Sequence, residues 1–213
     1  MSATASDIAR PAARRSVSSS LFKPFAYIAG GRSLLMGLAA ILAAGFLGSL
    51  SDTHFDGVLD MHTGLAAPTS VFLAEGIINW LSLSVVLFLM GKLVSRTAFR
   101  AVDLFGTQAL ARWPTVIAAL AALAPPFQRL VARLGDQLSS GVAGPTAPAG
   151  DLALGGLVGI ASVLCLVWMV WLMYHSYSVC CNIRGGKAVG SFIAGIIIAE
   201  VISKVALSPL LRA

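Results

Sequence analysis

Runs of apolar residues recur along the chain, and its polar and charged residues collect in the gaps between them. Five blocks stand out: Ser33–Leu50, Val71–Val94, Trp113–Phe127, Leu152–Tyr174 and Ala188–Leu207. Their apolar positions run right around a helix, so no polar face remains for water. At 1.5 Å per residue most of them can cross a hydrocarbon core of ~30 Å. The pattern predicts an all-α, integral membrane helical bundle of about five transmembrane helices with short interfacial helices. The third block is the weak one. It opens on Trp113-Pro114 and closes on Pro125-Pro126, and its clean apolar core has a length that also suits a re-entrant segment. If it does not cross, four spans remain and the C-terminus changes sides.

Two flanking segments read as interfacial helices. In Phe127–Leu138 the residues Phe127, Leu130, Val131, Leu134 and Leu138 form one helical face, with Arg129, Arg133 and Asp136 on the rest. In Arg96–Ala109, Arg96, Arg100, Asp103 and Thr107 line one side and Phe99, Val102 and Phe105 the other. Both suit a membrane surface; the alternative is that each extends a neighbouring span or packs on a loop. Ser139–Gly150, rich in Gly, Pro, Ser and Ala, reads as a flexible loop.

Composition agrees with the pattern. Of 213 residues 57% are hydrophobic and 11% charged, against roughly 25% charged in soluble domains. Residues 1–20 read as a disordered cytoplasmic tail and 21–213 as one membrane domain. The polar stretch before the first block is too long for the start of a signal peptide, which predicts a retained first span. The net charge of +6 comes from dispersed basic residues, not a tract, so no nucleic-acid partner is expected. Cys165, Cys180 and Cys181 read as free thiols, because adjacent cysteines bond each other only with strain.

The basic residues instead set a topology. With five spans and the N-terminus inside, eleven Lys and Arg fall on the inner side and three on the outer. The first outer loop, Ser51–Ser70, has none. The positive-inside rule then places the N-terminus in the cytoplasm and the C-terminus outside.

The loop contains Asp52, His54, Asp56, Asp60 and His62. Imidazole and carboxylate together suit a divalent metal such as zinc. The spacing matches no established metal motif, and the plainer reading is a short amphipathic helix with its acids in water. No other cofactor is indicated. Ionisable residues inside spans are costly and therefore informative. Glu75 and Asn79 lie one turn apart in the second block, and Glu200 and Lys204 one turn apart in the fifth. The plain reading of the latter is an internal i,i+4 ion pair. The sharper one brings Glu75 near Glu200 or Lys204 in a polar track. Small-residue faces, Ala40/Ala44/Gly48 and Ser191/Gly195/Ala199, allow close helix packing within the chain or in a homo-oligomer. Trp168, Trp171, Tyr174 and Tyr177 read as an interfacial aromatic belt.

Four stretches together resemble the Yip (Ypt-interacting protein) family of five-span membrane proteins, in particular its bacterial branch. They are Leu21-Phe22-Lys23-Pro24-Phe25, Thr53–Met61, Asp103–Pro114 and Trp171–Ala188. Eukaryotic members of that family are associated with Rab-type GTPases and vesicle trafficking, and carry longer N-terminal regions. For a bacterial member the resemblance implies an inner (plasma) membrane protein and supplies no catalytic residues. The leading expectation is therefore a scaffold or adaptor without catalytic activity, with a basic inner surface for anionic lipid or a protein partner. That surface comprises the N-terminal segment, Arg96–Arg112 and Cys180–Lys187. The alternatives are a small-solute or ion transport protein using Glu75, Asn79, Glu200 and Lys204, and a metal-dependent membrane enzyme built on the first outer loop.

Overall fold

A computed structural model describes residues 21–64, 66–141 and 147–210. The tail read at 1–20 and the centre of the loop read at Ser139–Gly150 lie outside the described residues. A 3-10 turn, Pro24–Ala26, leads into α1 (Gly30–Ser49). A two-stranded ribbon follows, β1 (Thr53–His54) and β2 (His62–Thr63), and then α2 (Thr69–Val94). Next come α3 (Ala101–Ala111), α4 (Pro114–Ala122) and α5 (Pro125–Ser140). The chain closes with α6 (Ala149–Cys180) and α7 (Gly185–Leu207). The fold is all-α apart from the ribbon.

Four helices, α1, α2, α6 and α7, are each long and apolar enough to span a membrane, and α3 to α5 raise the number to five if that bent unit is one span. The third apolar unit begins earlier than the block Trp113–Phe127. Pro114 has no N–H and breaks the α-helical ladder, so the turn tightens there, with Trp113 N–H bonded to Leu110 and Thr115 N–H to Arg112. The chain nonetheless runs on from Ala101 to Ala122. Ala124, ahead of Pro125, is extended, as a residue before proline prefers. The axis then turns 82° into α5. Lying across the end of the bundle, α5 keeps the strongly amphipathic pattern that the sequence predicts, and Gly141 closes it in the left-handed conformation.

In Arg96–Ala109 the structure has no surface helix and matches the alternative, extension of the neighbouring apolar block. Leu104 and the run Gly106–Arg112 are buried, because α3 packs between α1 and α6. Gly37 explains how closely α1 and α3 approach: a Cβ there would fall inside the backbone of Ala109 and Leu110. The helices form a ring in the order α1, α2, α7, α6 and α3–α4, with α1 packed in turn on α3 and α4. Its centre holds Leu83, Leu87, Met169, Leu172, Met173 and Tyr177, none above 1% exposed. Tyr177 is thus a core residue, its hydroxyl donating to Ser191 Oγ at 3.0 Å, and leaves the expected belt. Trp171 stays half-exposed and donates to the Phe22 carbonyl.

Outside the ring the surface is apolar. On α6 the residues Leu152, Leu157, Ile160, Val163, Leu164 and Val167 are all exposed, as are Val189, Ile193, Ile197, Val201 and Val205 on α7. A continuous surface of this kind belongs in lipid. The small face Ser191/Gly195/Ala199 is spent within the chain: all three are buried, and a Cβ on Gly195 would press on Leu87 of α2. All three cysteines are free.

Candidate functional site

Polar chemistry gathers at the end of the bundle that carries the ribbon. Asp52, at φ 46°, turns the chain after α1 back toward the bundle. Asp tolerates this left-handed conformation better than most residues. The strands pair antiparallel, Thr53 with Thr63 and His54 with His62. Their connection does not form the amphipathic surface helix expected for it. It dips between the helices, leaving His54 and Val58 each 1% exposed and Phe55 buried.

The intramembrane polar residues hold it there. Glu75 and Asn79 share a face of α2 through i,i+4 spacing, and both are fully buried. One Glu75 oxygen lies 2.6 Å from His54 Nδ1 and the other accepts the Phe55 N–H at 3.0 Å. The Asn79 amide donates to the Phe55 carbonyl. Both polar backbone groups of Phe55 are thereby satisfied inside the bundle, as burial demands. The His54 ring stacks on Phe72 and on His62.

Helix α7 secures the other side. Glu200 accepts the Leu59 N–H at 3.0 Å. Lys204 reaches Asp60 at 2.6 Å, whereas its i,i+4 partner Glu200 is 3.8 Å away. The hydrogen bond from Lys204 holds the Asp60 carboxyl below the usual carboxylate range. The expected internal Glu200–Lys204 pair is therefore secondary to the contact with the loop. Gly57 admits this arrangement, since a Cβ there would collide with the Glu200 carboxylate. Glu75 meets His54 and Phe55 rather than Glu200 or Lys204.

The candidate metal residues do not share a point. His54 goes to Glu75, His62 to Asp56 at 3.2 Å and Asp60 to Lys204, and Asp52 sits at the turn out of α1. Among the described residues no three His, Cys, Asp or Glu side chains converge to hold an ion. Beside the ribbon, Gln128 of α5 donates to the Ser51 carbonyl, and Arg129 grips Asp151 of α6 with Nε and Nη2, Nη2 at 2.6 Å. These contacts fasten α5 across the same end.

One residue of this site has no part in the sequence reading except as an inner-surface charge. Arg112, between α3 and α4, is 4% exposed and lies close to Phe55 of the loop. Among the described residues its Nε and Nη2 find no hydrogen-bond partner. Pro114, two residues after Arg112 within a largely apolar stretch, was the available signal: it marks a break in the helix, where a basic residue is carried into the interior.

The fold and this site define an integral membrane helical bundle whose first long loop is seated back into the helices. No known protein family, curated protein or solved structure matches the chain.

Proposed function

We propose that the chain is a membrane scaffold or adaptor without catalytic activity, of the kind the Yip resemblance implies. One observation carries this reading. The intramembrane residues that would serve a transport path, Glu75, Asn79, Glu200 and Lys204, are engaged in fastening the chain's own loop. Polar groups committed to immobile backbone partners are poor carriers for a moving solute. The opposite end of the bundle supplies the working surface. There Lys23, Lys92, Arg96, Arg100, Arg184 and Lys187 are exposed. Arg96 and Lys187 flank a cleft of about 540 Å³ with Ser95 and Gly186. Such a surface suits anionic headgroups or an acidic partner, at ~1 kcal/mol per basic residue near a charged leaflet. On this reading that end faces the cytoplasm of a bacterial inner membrane. It is smaller than the sequence count implies, since Arg112 lies inside the bundle.

The test is flux in proteoliposomes. The purified protein is expected to carry neither protons nor small ions, with Glu75→Gln and Glu200→Gln indistinguishable from the parent. Flux that either substitution abolishes would replace the scaffold with a transporter.

A further inference from the structure

Two helix ends meet at the basic end of the bundle and leave an open cleft between them. It lies between the C-terminal end of α2 and the N-terminal end of α7 and holds about 540 Å³, within the ~300–1,000 Å³ of small-ligand sites. The Ser95 hydroxyl donates to the Cys181 carbonyl at 2.7 Å. That bond ties the end of α2 to the turn ahead of α7, so the cleft is formed before anything enters it.

Its rim is cationic. Arg96 and Lys187 line it and are exposed. Among the described residues neither is in an ion pair. Lys92, by contrast, is spent over the rings of Phe88 and Phe99. Among the described residues the acid at this end is Asp103, which lies beside Gly30 and is no part of the cleft lining. Two uncompensated charges call for a ligand of net negative charge.

Further in, the cleft is apolar. Leu93 of α2 and Gly190 of α7 line it together. A Cβ on Gly190 would meet nothing within 4 Å, so the space is open rather than filled by a neighbouring helix. The same two helix faces continue in apolar residues: Leu89 one turn before Leu93, and Ile193 one turn after Gly190, both exposed. Helix α2 has 26 residues, about 39 Å at 1.5 Å per residue, and so outruns a ~30 Å hydrocarbon core. The rim past its last turn therefore stands at headgroup level, and the apolar track runs from it into the hydrocarbon. An acidic peptide or a free anion would answer the rim alone. A charged head joined to a hydrocarbon tail answers both parts.

We propose that this cleft binds one anionic glycerophospholipid, its phosphate between Arg96 and Lys187 and an acyl chain along Leu93, Leu89, Gly190 and Ile193. Such a site rests on the reading of the basic end as a surface for anionic partners, and narrows that partner to one lipid at one place.

The experiment is native mass spectrometry of the full chain, released from neutral-detergent micelles that contain equal phosphatidylglycerol and phosphatidylcholine. One phosphatidylglycerol should stay bound per chain, preferred about 30-fold, as two basic residues at a charged headgroup give. Arg96→Gln and Lys187→Gln should each cut that preference about fivefold. Gly190→Leu keeps both charges and suits a helix better than glycine does; by filling the track it should lower retention of the lipid. A preference unchanged in both charge variants, or retention unchanged in Gly190→Leu, overturns the site. So does displacement by glycerophosphate or by a glutamate-rich peptide as readily as by lipid, since neither has an acyl chain. A preference carried instead by Lys23, Arg100 and Arg184, read from their Gln variants, overturns the cleft and leaves the basic-surface reading standing. No preference in the parent overturns the cleft and the lipid half of that reading together.

Discussion

At the scale of single residues, two side-chain pairs on one loop should differ widely in weight. His54–Glu75 is 1% and 0% exposed, whereas Lys204–Asp60 is 48% and 44% exposed. Removing Glu75 takes the acceptor from the buried Phe55 N–H and from His54 Nδ1, at about 1–3 kcal/mol for each group so left, while exposed ion pairs contribute roughly 0.2–1 kcal/mol. Glu75→Ala is therefore expected to destabilise the fold by several-fold more than Asp60→Asn, as measured by unfolding in mixed micelles. The Asp60 pair also sets a pH dependence. Its folded pKa is depressed by the Lys204 hydrogen bond, so the stabilisation is complete above the unfolded value of about 3.9 and fades as pH falls below it. The parent should lose more stability than Asp60→Asn between pH 5 and the acid limit, and parallel losses would show that the pair carries no weight. The intramembrane acids were legible in the sequence as costly residues. Their partners were not, because His54, Phe55 and Leu59 lie 21, 20 and 141 positions away from the carboxylates they meet.

At the scale of helices and loops, close approach is the controlling feature. Gly37 lies against the Ala109–Leu110 backbone, while Gly31 on the same helix has nothing within 4 Å of a built Cβ. Gly37→Val is expected to cost about 3 kcal/mol, since overpacking against backbone cannot be relieved by a rotamer change. Gly31→Ala should be neutral, and equal effects would refute the contact. Amphipathic periodicity identified α5 as a helix with one apolar and one polar face. The same reasoning could not decide between a surface helix and an extended span for the segment from Arg96 to Ala109. Thr107 and Gln108 look like a wet face, but they bond to Ser176 and the Met173 carbonyl on α6. A polar side chain satisfied by a neighbouring helix gives the same pattern as one satisfied by water.

Over the whole molecule, the two ends of the bundle are chemically distinct. One carries Arg96, Arg100, Arg184 and Lys187; the other carries the ribbon with α5 laid across it. If the basic end is cytoplasmic, a reporter fused after residue 213 should be active outside the cell and one fused before residue 1 inside. Both termini on one side would reduce the traverses to four. The sequence by itself determined the membrane environment and the four long helices, since length and unbroken apolar character are local properties that a bilayer reads directly. It also marked the first loop and the intramembrane polar residues as unusual. Only the tertiary structure decided that the two belong together, that the third apolar unit begins at Ala101, and that Arg112 is interior. Each depends on which polar group finds which distant partner, and in a medium without water that pairing is settled by packing rather than by periodicity.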